Sequence, residues 1–334
     1  MADNTNPIWV IADQESCSLL PVTSQLVGKA RSLADALGAD VEVVLLGDGV
    51  EAQAPTLFGS GADRVYLGNA PELANYHPDV YTELIVGLAE ACKPQIVLLG
   101  STSMGRELAP LVAARLETGL TAHCIDLDIN ADHVMEQIIP AYGGEITIVC
   151  PERKPQMATV AQGVFPLPAH DEGRSGEIVP ISGPFTHKGR IEILEVVIEE
   201  PKGIPLDSAT CVLAGGVGAG DSDGWDLMAQ LSKELGAGLG CTRPVVDEGW
   251  AELETMIGQS GKMVSPETYL GIGLSGEQQH MVGISGAKTM IAINNDKKSP
   301  IFNQVDFGVV DDCREFLLVL LEKIREYREK QVSC

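Results

Sequence analysis

The chain has 334 residues, 45% of them apolar, and a formal charge of −24, which is more material than one core holds and suggests two domains. That charge leaves no basic field to attract phosphates and so excludes a nucleic-acid partner. No apolar run reaches the roughly 18 residues that span a bilayer, and eight cysteines without a Cys-x-x-Cys point to buried free thiols instead of a metal or disulfide frame.

The polar start, Met-Ala-Asp-Asn-Thr-Asn-Pro, lacks a basic-then-apolar leader, so a cytoplasmic protein is expected. Residues 8–12 read as a buried first strand. Leu26, Ala30, Leu33 and Leu37 then recur at helical spacing, with Gly38 placed as a stop. Residues 41–46 and 64–67 are predicted strands, and a helix over 81–92 leads to the clearest strand of this half, 95–100. The following Ser101-Thr-Ser enters a helix through Ala113, Ala114 and Leu116. A strand running into a helix can hold an anion at the helix N-terminus. The spacing of a phosphate loop and any GxGxxG are missing, so a plain strand-to-helix cap is an equal reading. Residues 166–190, rich in Pro, Gly, Ser and acidic groups, read as a connecting loop. Residues 191–198 are expected to form a strand of the first domain, with 199–205 as the linker.

The boundary is therefore placed between a domain at 1–204 and one at 205–334. The first carries 12 basic against 28 acidic side chains and the second 11 against 19, so the second is the less acidic. It opens with Cys211-Val-Leu-Ala running into a glycine loop, Gly215 to Gly220, and a helix with Trp225, Met228, Leu231 and Leu235 on one face. Strand, glycine loop and helix together can cradle a pyrophosphate on free amides. Three polar signatures follow: Ile257-Gly-Gln-Ser-Gly-Lys262, Gly273-Leu-Ser-Gly-Glu-Gln-Gln-His280 and Ile293-Asn-Asn-Asp296. Each borders a short apolar run, and alternating strands and helices imply a parallel sheet whose ligands gather beyond the strands' carboxyl ends. Gly258, Gly261, Gly273 and Gly276 would let backbone amides approach a ligand, while Gln259, Ser260, Ser275, Gln279 and His280 would supply directed hydrogen bonds. This is chemistry for gripping a large, polar, planar cofactor. A last helix over about 311–330 puts Phe316, Leu320, Ile324 and Tyr327 on one stripe, which core packing explains. His77, His123, His133, His170 and His187 show no metal-ligand spacing.

The ordered series Thr242-Arg-Pro, Asp-Glu-Gly-Trp250, Gly-Gln-Ser-Gly-Lys262, Ser-Pro-Glu-Thr-Tyr269, Gly-Leu-Ser-Gly-x-x-Gln-His280, Ala-Ile-Asn-x-Asp296, Ser-Pro-Ile-Phe302 and Asp-Phe-Gly308 resembles the alpha subunit of electron transfer flavoprotein. The likeness continues more weakly through the N-terminal half, in Gly-Arg-Glu-Leu-Ala-Pro110 and Pro-Ala-Tyr-Gly-Gly144. It implies an α/β protein of two domains: an N-terminal nucleotide-fold-like scaffold that contacts a beta subunit and a C-terminal parallel-sheet domain that binds FAD. The activity implied is electron carriage, not stand-alone catalysis. Electrons would pass from a flavin dehydrogenase, expected to be an acyl-CoA dehydrogenase, to a downstream partner. Carried over residue by residue, the cofactor contacts are Thr242, Arg243, Gly258, Gln259, Ser260, Gly273, Leu274, Ser275, Gly276, Gln278, Gln279, His280, Asn294, Asp312 and Cys313. Arg243 would lie against the flavin and stabilise negative charge on it, the bland reading being an ion pair with Asp247 or Glu248. Ser260 would offer a hydroxyl to the central ring nitrogen, the bland reading being a helix cap. His280 would give a proton-bearing nitrogen to the pyrimidine end, and Asn294 and Asp312 would meet the ribityl, phosphate or adenosine portion, Asp312 through a ribose hydroxyl.

Three places in the chain depart from the family pattern. Ile139 and the Ala-Gln pair after Val160 stand where arginines are frequent, and Val217 stands where the glycine loop usually carries an arginine that helps hold the cofactor. Val217 removes a charge-assisted contact. Two alternatives stay open: an electron-bifurcating, NADH-oxidising complex, and a structural subunit that has lost its flavin.

Overall fold

The structure, a computed structural model, describes residues 6–15, 17–141, 144–183, 185, 191, 193–197, 203–206, 208–284 and 286–332. It divides into two compact units, residues 1–195 and 196–334.

The first unit contains β1 (Ile8–Ile11), α1 (Pro21–Leu37), β2 (Val41–Gly47), α2 (Ala54–Ser60), β3 (Arg64–Asn69), α3 (Pro78–Cys92), β4 (Ile96–Gly100) and α4 (Ser103–Arg115). They are followed by β5 (Leu120–Cys124), β6 (Asp126–Ile129), β7 (Met135–Ala141), β8 (Gly144–Val149), β9 (Gln156–Val160) and β10 (Glu177–Pro180). Seven strands form one sheet in the order β10-β3-β2-β1-β4-β9-β5, every neighbouring pair parallel. β6, β7 and β8 form an antiparallel three-stranded meander. Helices α1 and α2 cover one face of the large sheet, packing Leu26, Val27, Ala30 and Leu57 on Ile8, Val10, Val43 and Leu45. Helices α3 and α4 cover the other, packing Ile85, Leu108 and Val112 on Trp9, Val44 and Val97. Strands buried on both faces need apolar residues at every position, which is why β2 reads as a near-continuous apolar run and not as an alternation. Its exception is Glu42, only 3% exposed, which accepts from Trp9 Nε1 at 2.8 Å and pairs with Arg64. Arg64 also reaches Glu177 Oε2 at 2.9 Å.

The chain reverses its direction of strand addition between β1 and β4. There Thr102 caps α4, its Oγ1 accepting from Gly105 N at 3.0 Å and donating to the buried Asp13 carboxyl. Burial raises the Asp13 pKa. The plain cap is thus the reading the structure supports, since a carboxyl at this crevice opposes a phosphate.

The second unit runs β11 (Cys211–Gly215), α5 (Ser222–Leu235), β12 (Gly238–Cys241), α6 (Arg243–Asp247), β13 (Thr268–Ile272), α7 (Gln278–Met281), β14 (Thr289–Asn294), β15 (Phe307–Val310) and α8 (Cys313–Val332). Its five strands are parallel, in the order β12-β11-β13-β14-β15. Helices α5 and α8 pack on one face through Met228, Leu231, Leu317 and Leu321. The other face is covered by Leu206, Ile257, Val264, Met281, Ile284 and Ile301, mostly from loops and short helical turns. Burying a side chain of this size contributes about 1.5–3 kcal/mol. Asp221 caps α5 by accepting from Asp223 N and Gly224 N, and Gly236 ends it in the left-handed region at φ 64°.

Four expectations change. Residues 191 and 193–197 are not a strand: no described strand pairs with them, and Leu194 is 88% exposed; Glu192 and Ile198 lie outside the described residues, as do 184, 186–190 and 199–202 of the predicted loop and linker, and Tyr142 and Gly143 of the family-like Pro140 to Gly144 run. The predicted loop at 166–190 instead carries edge strand β10, whose proline and exposed, polar surroundings hide it. On α8 the buried positions are Cys313, Leu317 and Leu321, with Phe316, Leu320 and Ile324 beside them, while Tyr327 is exposed because the seam is turned by one position. The seven described cysteines are free, but only Cys124, Cys241 and Cys313 are buried; Cys17 is exposed because it occupies a tight turn at φ 64°. Among the described residues no helix is long and apolar enough to cross a membrane, and no cluster of metal-ligating side chains occurs.

Candidate functional site

The order of the second sheet reverses between β11 and β13. After β11 the chain adds β12 on one side, then returns to add β13 on the other, so the connections at the carboxyl ends of β11 and β13 part and leave a crevice. Both connections are glycine loops. A Cβ on Gly216 would stand 2.4 Å from Gly273 O, one on Gly218 2.6 Å from the same oxygen, and Gly218 N donates to Gly273 O at 2.9 Å. Only glycine lets these two backbones lie directly against each other, and that contact forms the floor of a cavity of about 720 Å³, within the usual range for a small-molecule site.

The cavity is bounded by the Gly216–Gly218 turn, Thr242 and Arg243 at the start of α6, the Met256–Gly258 segment with Ser260, the 273–280 loop, and Asn294, Asp296 and Ser299 after β14. Among the described residues that line it, Arg243 is the one lysine or arginine, against carboxylates on Glu277 and Asp296. Among the described residues, the backbone N–H groups of Ser275 and Gly276 have no protein acceptor, and the hydroxyls of Ser260, Thr242 and Ser275 border the same space. An apolar floor with convergent N–H and O–H donors fits a large planar group carrying anionic phosphates.

The surrounding loops are braced from within. Asn294 Nδ2 donates to Leu274 O at 3.0 Å and to Ser299 Oγ at 3.3 Å, while Asn294 Oδ1 accepts from Asp296 N at 2.9 Å. Gln304 Nε2 donates to Gly276 O at 2.8 Å. Gln259 N donates to Gln279 O at 2.7 Å, and a Cβ on Gly258 would lie 2.4 Å from that same carbonyl, so the 257–260 turn is pressed against α7.

His280 is only 5% exposed at the cavity wall. Its Nδ1 lies 3.0 Å from Ile257 O and its Nε2 2.7 Å from the Tyr269 hydroxyl. Burial pushes the imidazole down to about 4, partly opposed by the hydrogen bond to Ile257, and burial pushes the Tyr269 phenol up. Both ring nitrogens of His280 therefore lie within hydrogen-bond distance of protein partners at the edge of the cavity.

Of the sequence-predicted residues, the fold gathers Thr242, Arg243, Gly258, Ser260, Gly273, Leu274, Ser275, Gly276, Gln279, His280 and Asn294 around the cavity. Gln259 and Gln278 are exposed beside it. Asp312 lies outside the lining and caps the last helix through Oδ1, accepting from Arg314 N at 2.9 Å and Glu315 N at 3.0 Å. Cys313 is buried against β14, with Sγ 3.7 Å from Ile293 O. Arg243 Nε is paired with Asp247 at 2.7 Å on an exposed turn, so the ion pair of the bland reading is present while the residue still borders the cavity. Ser260 sits in a turn with no helix after it, which removes the cap reading. Met256 escaped the sequence reading because an apolar wall position carries no motif, while Ile257 and Ser299 fall within the quoted motifs without being named there as contacts. Val217, 47% exposed, stands on the rim.

Comparison with known proteins agrees with this geometry. The electron transfer flavoprotein domain family matches residues 8–184, and the electron transfer flavoprotein FAD-binding domain family matches residues 205–285. The electron transfer flavoprotein subunit alpha of Thermoanaerobacterium thermosaccharolyticum is 38% identical over 324 residues, spanning 96% of this chain and 98% of that one. Protein FixB of Azorhizobium caulinodans is 38% identical across 95% of this chain and 88% of its own length. The lactate dehydrogenase (NAD(+),ferredoxin) subunit LctC of Acetobacterium woodii is 36% identical across 95% of this chain and 76% of its own. With both domain families matched in order and relatives aligned over nearly the whole length, the chain belongs to the electron transfer flavoprotein alpha-subunit family.

Proposed function

We propose that this chain binds FAD across the switch point of its second unit and, paired with a beta subunit, carries electrons between a flavin dehydrogenase and a downstream acceptor. The observation that carries the reading is the cavity itself: it lies where two glycine loops meet at the ends of β11 and β13, and it is bordered by Arg243, Ser260 and free loop amides. Bound there, FAD supplies the redox chemistry. The Ser275 and Gly276 amides, beside the Gly216–Gly218 turn, would receive its anionic portion, and the hydroxyls of Thr242 and Ser260 would orient its polar edges. Arg243 would favour added negative charge on the ring by Coulomb attraction. Its ion pair with Asp247 fixes the guanidinium at the rim, and the buried wall around His280 and Ile257 keeps water from that side. The absence of a cation at Val217 leaves phosphate binding to backbone donors. An acyl-CoA dehydrogenase is the expected electron donor.

A second reading, membership of an NADH-oxidising bifurcating complex, is favoured by the likeness to the lactate dehydrogenase (NAD(+),ferredoxin) subunit. Co-expression with a beta subunit, flavin extraction and quantification decide between them. One FAD per heterodimer, reducible by an acyl-CoA dehydrogenase with its substrate, supports simple carriage. Two FAD per heterodimer with reduction by NADH supports the second reading. An assembled heterodimer without flavin sinks both.

A further inference from the structure

We propose that Ser299 and Gln304, reaching across from the connection after β14, are positioning residues that clamp the two peptide groups flanking Gly276, so that the Ser275 and Gly276 amides are aligned in advance for the diphosphate of a bound dinucleotide. The use of those amides rests on the FAD reading above; the clamp itself does not.

A peptide group is planar and trans, so its N–H points opposite to its C=O. Holding one carbonyl therefore aims the N–H of the next residue. Asn294 Nδ2 donates to Leu274 O at 3.0 Å and to Ser299 Oγ at 3.3 Å, which fills the acceptor side of that hydroxyl. Ser299 Oγ then donates its own hydrogen to Ser275 O at 3.3 Å. Gln304 Nε2 donates to Gly276 O at 2.8 Å. Three consecutive carbonyls are thus held by side chains of one connection, and the N–H groups of Ser275 and Gly276 face away from it. Neither has a protein acceptor among the described residues. On the loop's other flank stands the glycine turn: Gly218 N donates to Gly273 O at 2.9 Å, and a Cβ on Gly216 would lie 2.7 Å from Leu274 Cα.

Gly276 makes an external clamp necessary. Its φ of 80° belongs to the left-handed region, and a Cβ there would lie 2.6 Å from Ile301 Cα, so the position takes no side chain that could stiffen it. A glycine alone leaves both neighbouring peptides free to rotate. Ser299, 6% exposed, fixes the peptide before it, and Gln304 fixes the peptide after it. The two clamps come from 24 and 28 residues further along the chain, so the alignment is built by the fold and not by the loop's own sequence. With Val217 in the glycine turn supplying no cation, the alignment of these amides matters more, because donors already in place bind without a further ordering cost.

The test compares the parent heterodimer with Ser299→Ala and Gln304→Glu, the latter keeping length while replacing the donor by an oxygen. Gln304→Leu stands in if the glutamate variant fails to assemble. Each variant should weaken FAD binding about three- to tenfold, the range of one lost hydrogen bond. It should also move the phosphorus NMR resonances of bound FAD while leaving the flavin absorbance spectrum unchanged; Ser299→Thr, which restores a hydroxyl, should recover the parental values. Unchanged affinity and phosphorus resonances in both variants overturn the proposal, as does a shifted flavin spectrum with unmoved phosphorus resonances. Backbone NMR order parameters of the flavin-free heterodimer separate the clamp from the flavin site. Ser275 and Gly276 should be ordered in the parent and loosened in Ser299→Ala. A parent that shows this order but takes up no FAD sinks the flavin reading and leaves the clamp standing, whereas equal order in parent and variant sinks the clamp.

Discussion

Replacing Gly273 by alanine tests whether contact between the two glycine loops builds the cavity, because Gly236 provides a matched control. Both glycines sit at nearly the same left-handed angle, φ 64°, so alanine at either meets the same backbone penalty of roughly 1–2 kcal/mol. At Gly236 a Cβ meets nothing within 4 Å. At Gly273 it would stand 2.2 Å from both Ala219 N and Gly218 C, backbone atoms that yield only if the whole loop retreats. Overpacking of this kind adds about 1–3 kcal/mol, giving about 2–5 kcal/mol for Gly273→Ala against about 1–2 kcal/mol for Gly236→Ala. Relief of even 1.4 kcal/mol by opening the crevice lowers FAD affinity about tenfold. Urea unfolding followed by tryptophan fluorescence, with FAD titration of the heterodimer, measures both quantities. Equal destabilisation of the two variants with unaltered FAD affinity would show that the loop contact does not shape the site.

Three further outcomes are expected. Arg243→Ala should lower the flavin reduction potential, by about 59 mV in a one-electron step for each tenfold loss of differential stabilisation; Arg243→Lys should restore only part, because a compact ammonium cannot lie flat against a ring, and spectroelectrochemistry of the heterodimer checks both. Arg64→Ala leaves the buried Glu42 without its cation and should cost about 3–5 kcal/mol, whereas Glu177→Ala at the exposed end should cost less than about 1 kcal/mol in the same denaturation assay. Asp13→Asn should stabilise the protein in alkaline buffer. The Asp13 pKa is raised by burial above 3.8, so the folded parent binds a proton the unfolded chain releases, and its stability falls as pH rises through that window. The gain of the variant should be largest above the raised pKa and vanish below 3.8, as thermal melts across pH would show.

The parts legible in the sequence were those whose physics is local. Residues 95–100 and 211–214 are apolar runs bounded by glycine, and they are strands at the cores of their sheets. The glycine signatures at 258 and 273–276 mark backbone approach, and the fold brings them to one cavity. Residues 191 and 193–197 show the limit: an apolar stretch has strand propensity but forms a strand only where an edge accepts it. Conversely, β10 is a strand because β3 offers an edge, although its own four residues include a proline. The direction of the His280 nitrogens was illegible for the same reason, since Tyr269 and Ile257 become its partners only after folding. The cap that Asp312 supplies to the following helix through Oδ1 is likewise not visible from its place in the motif.

Trp9, Glu42, Arg64 and Glu177 stand directly opposite one another on four neighbouring strands. Because β1, β2 and β3 are apolar on both faces, hydrophobic burial alone distinguishes poorly between their alignment and one shifted along the chain axis. A shift by one residue turns every side chain to the opposite face and would strand the Glu42 carboxylate among aliphatic groups, without indole or guanidinium. The row therefore acts as an alignment key: it penalises misregistered sheets more than it strengthens the correct one. Its last member arrives 113 residues after Arg64, so the key closes only when the far end of the first unit has been made and brought home.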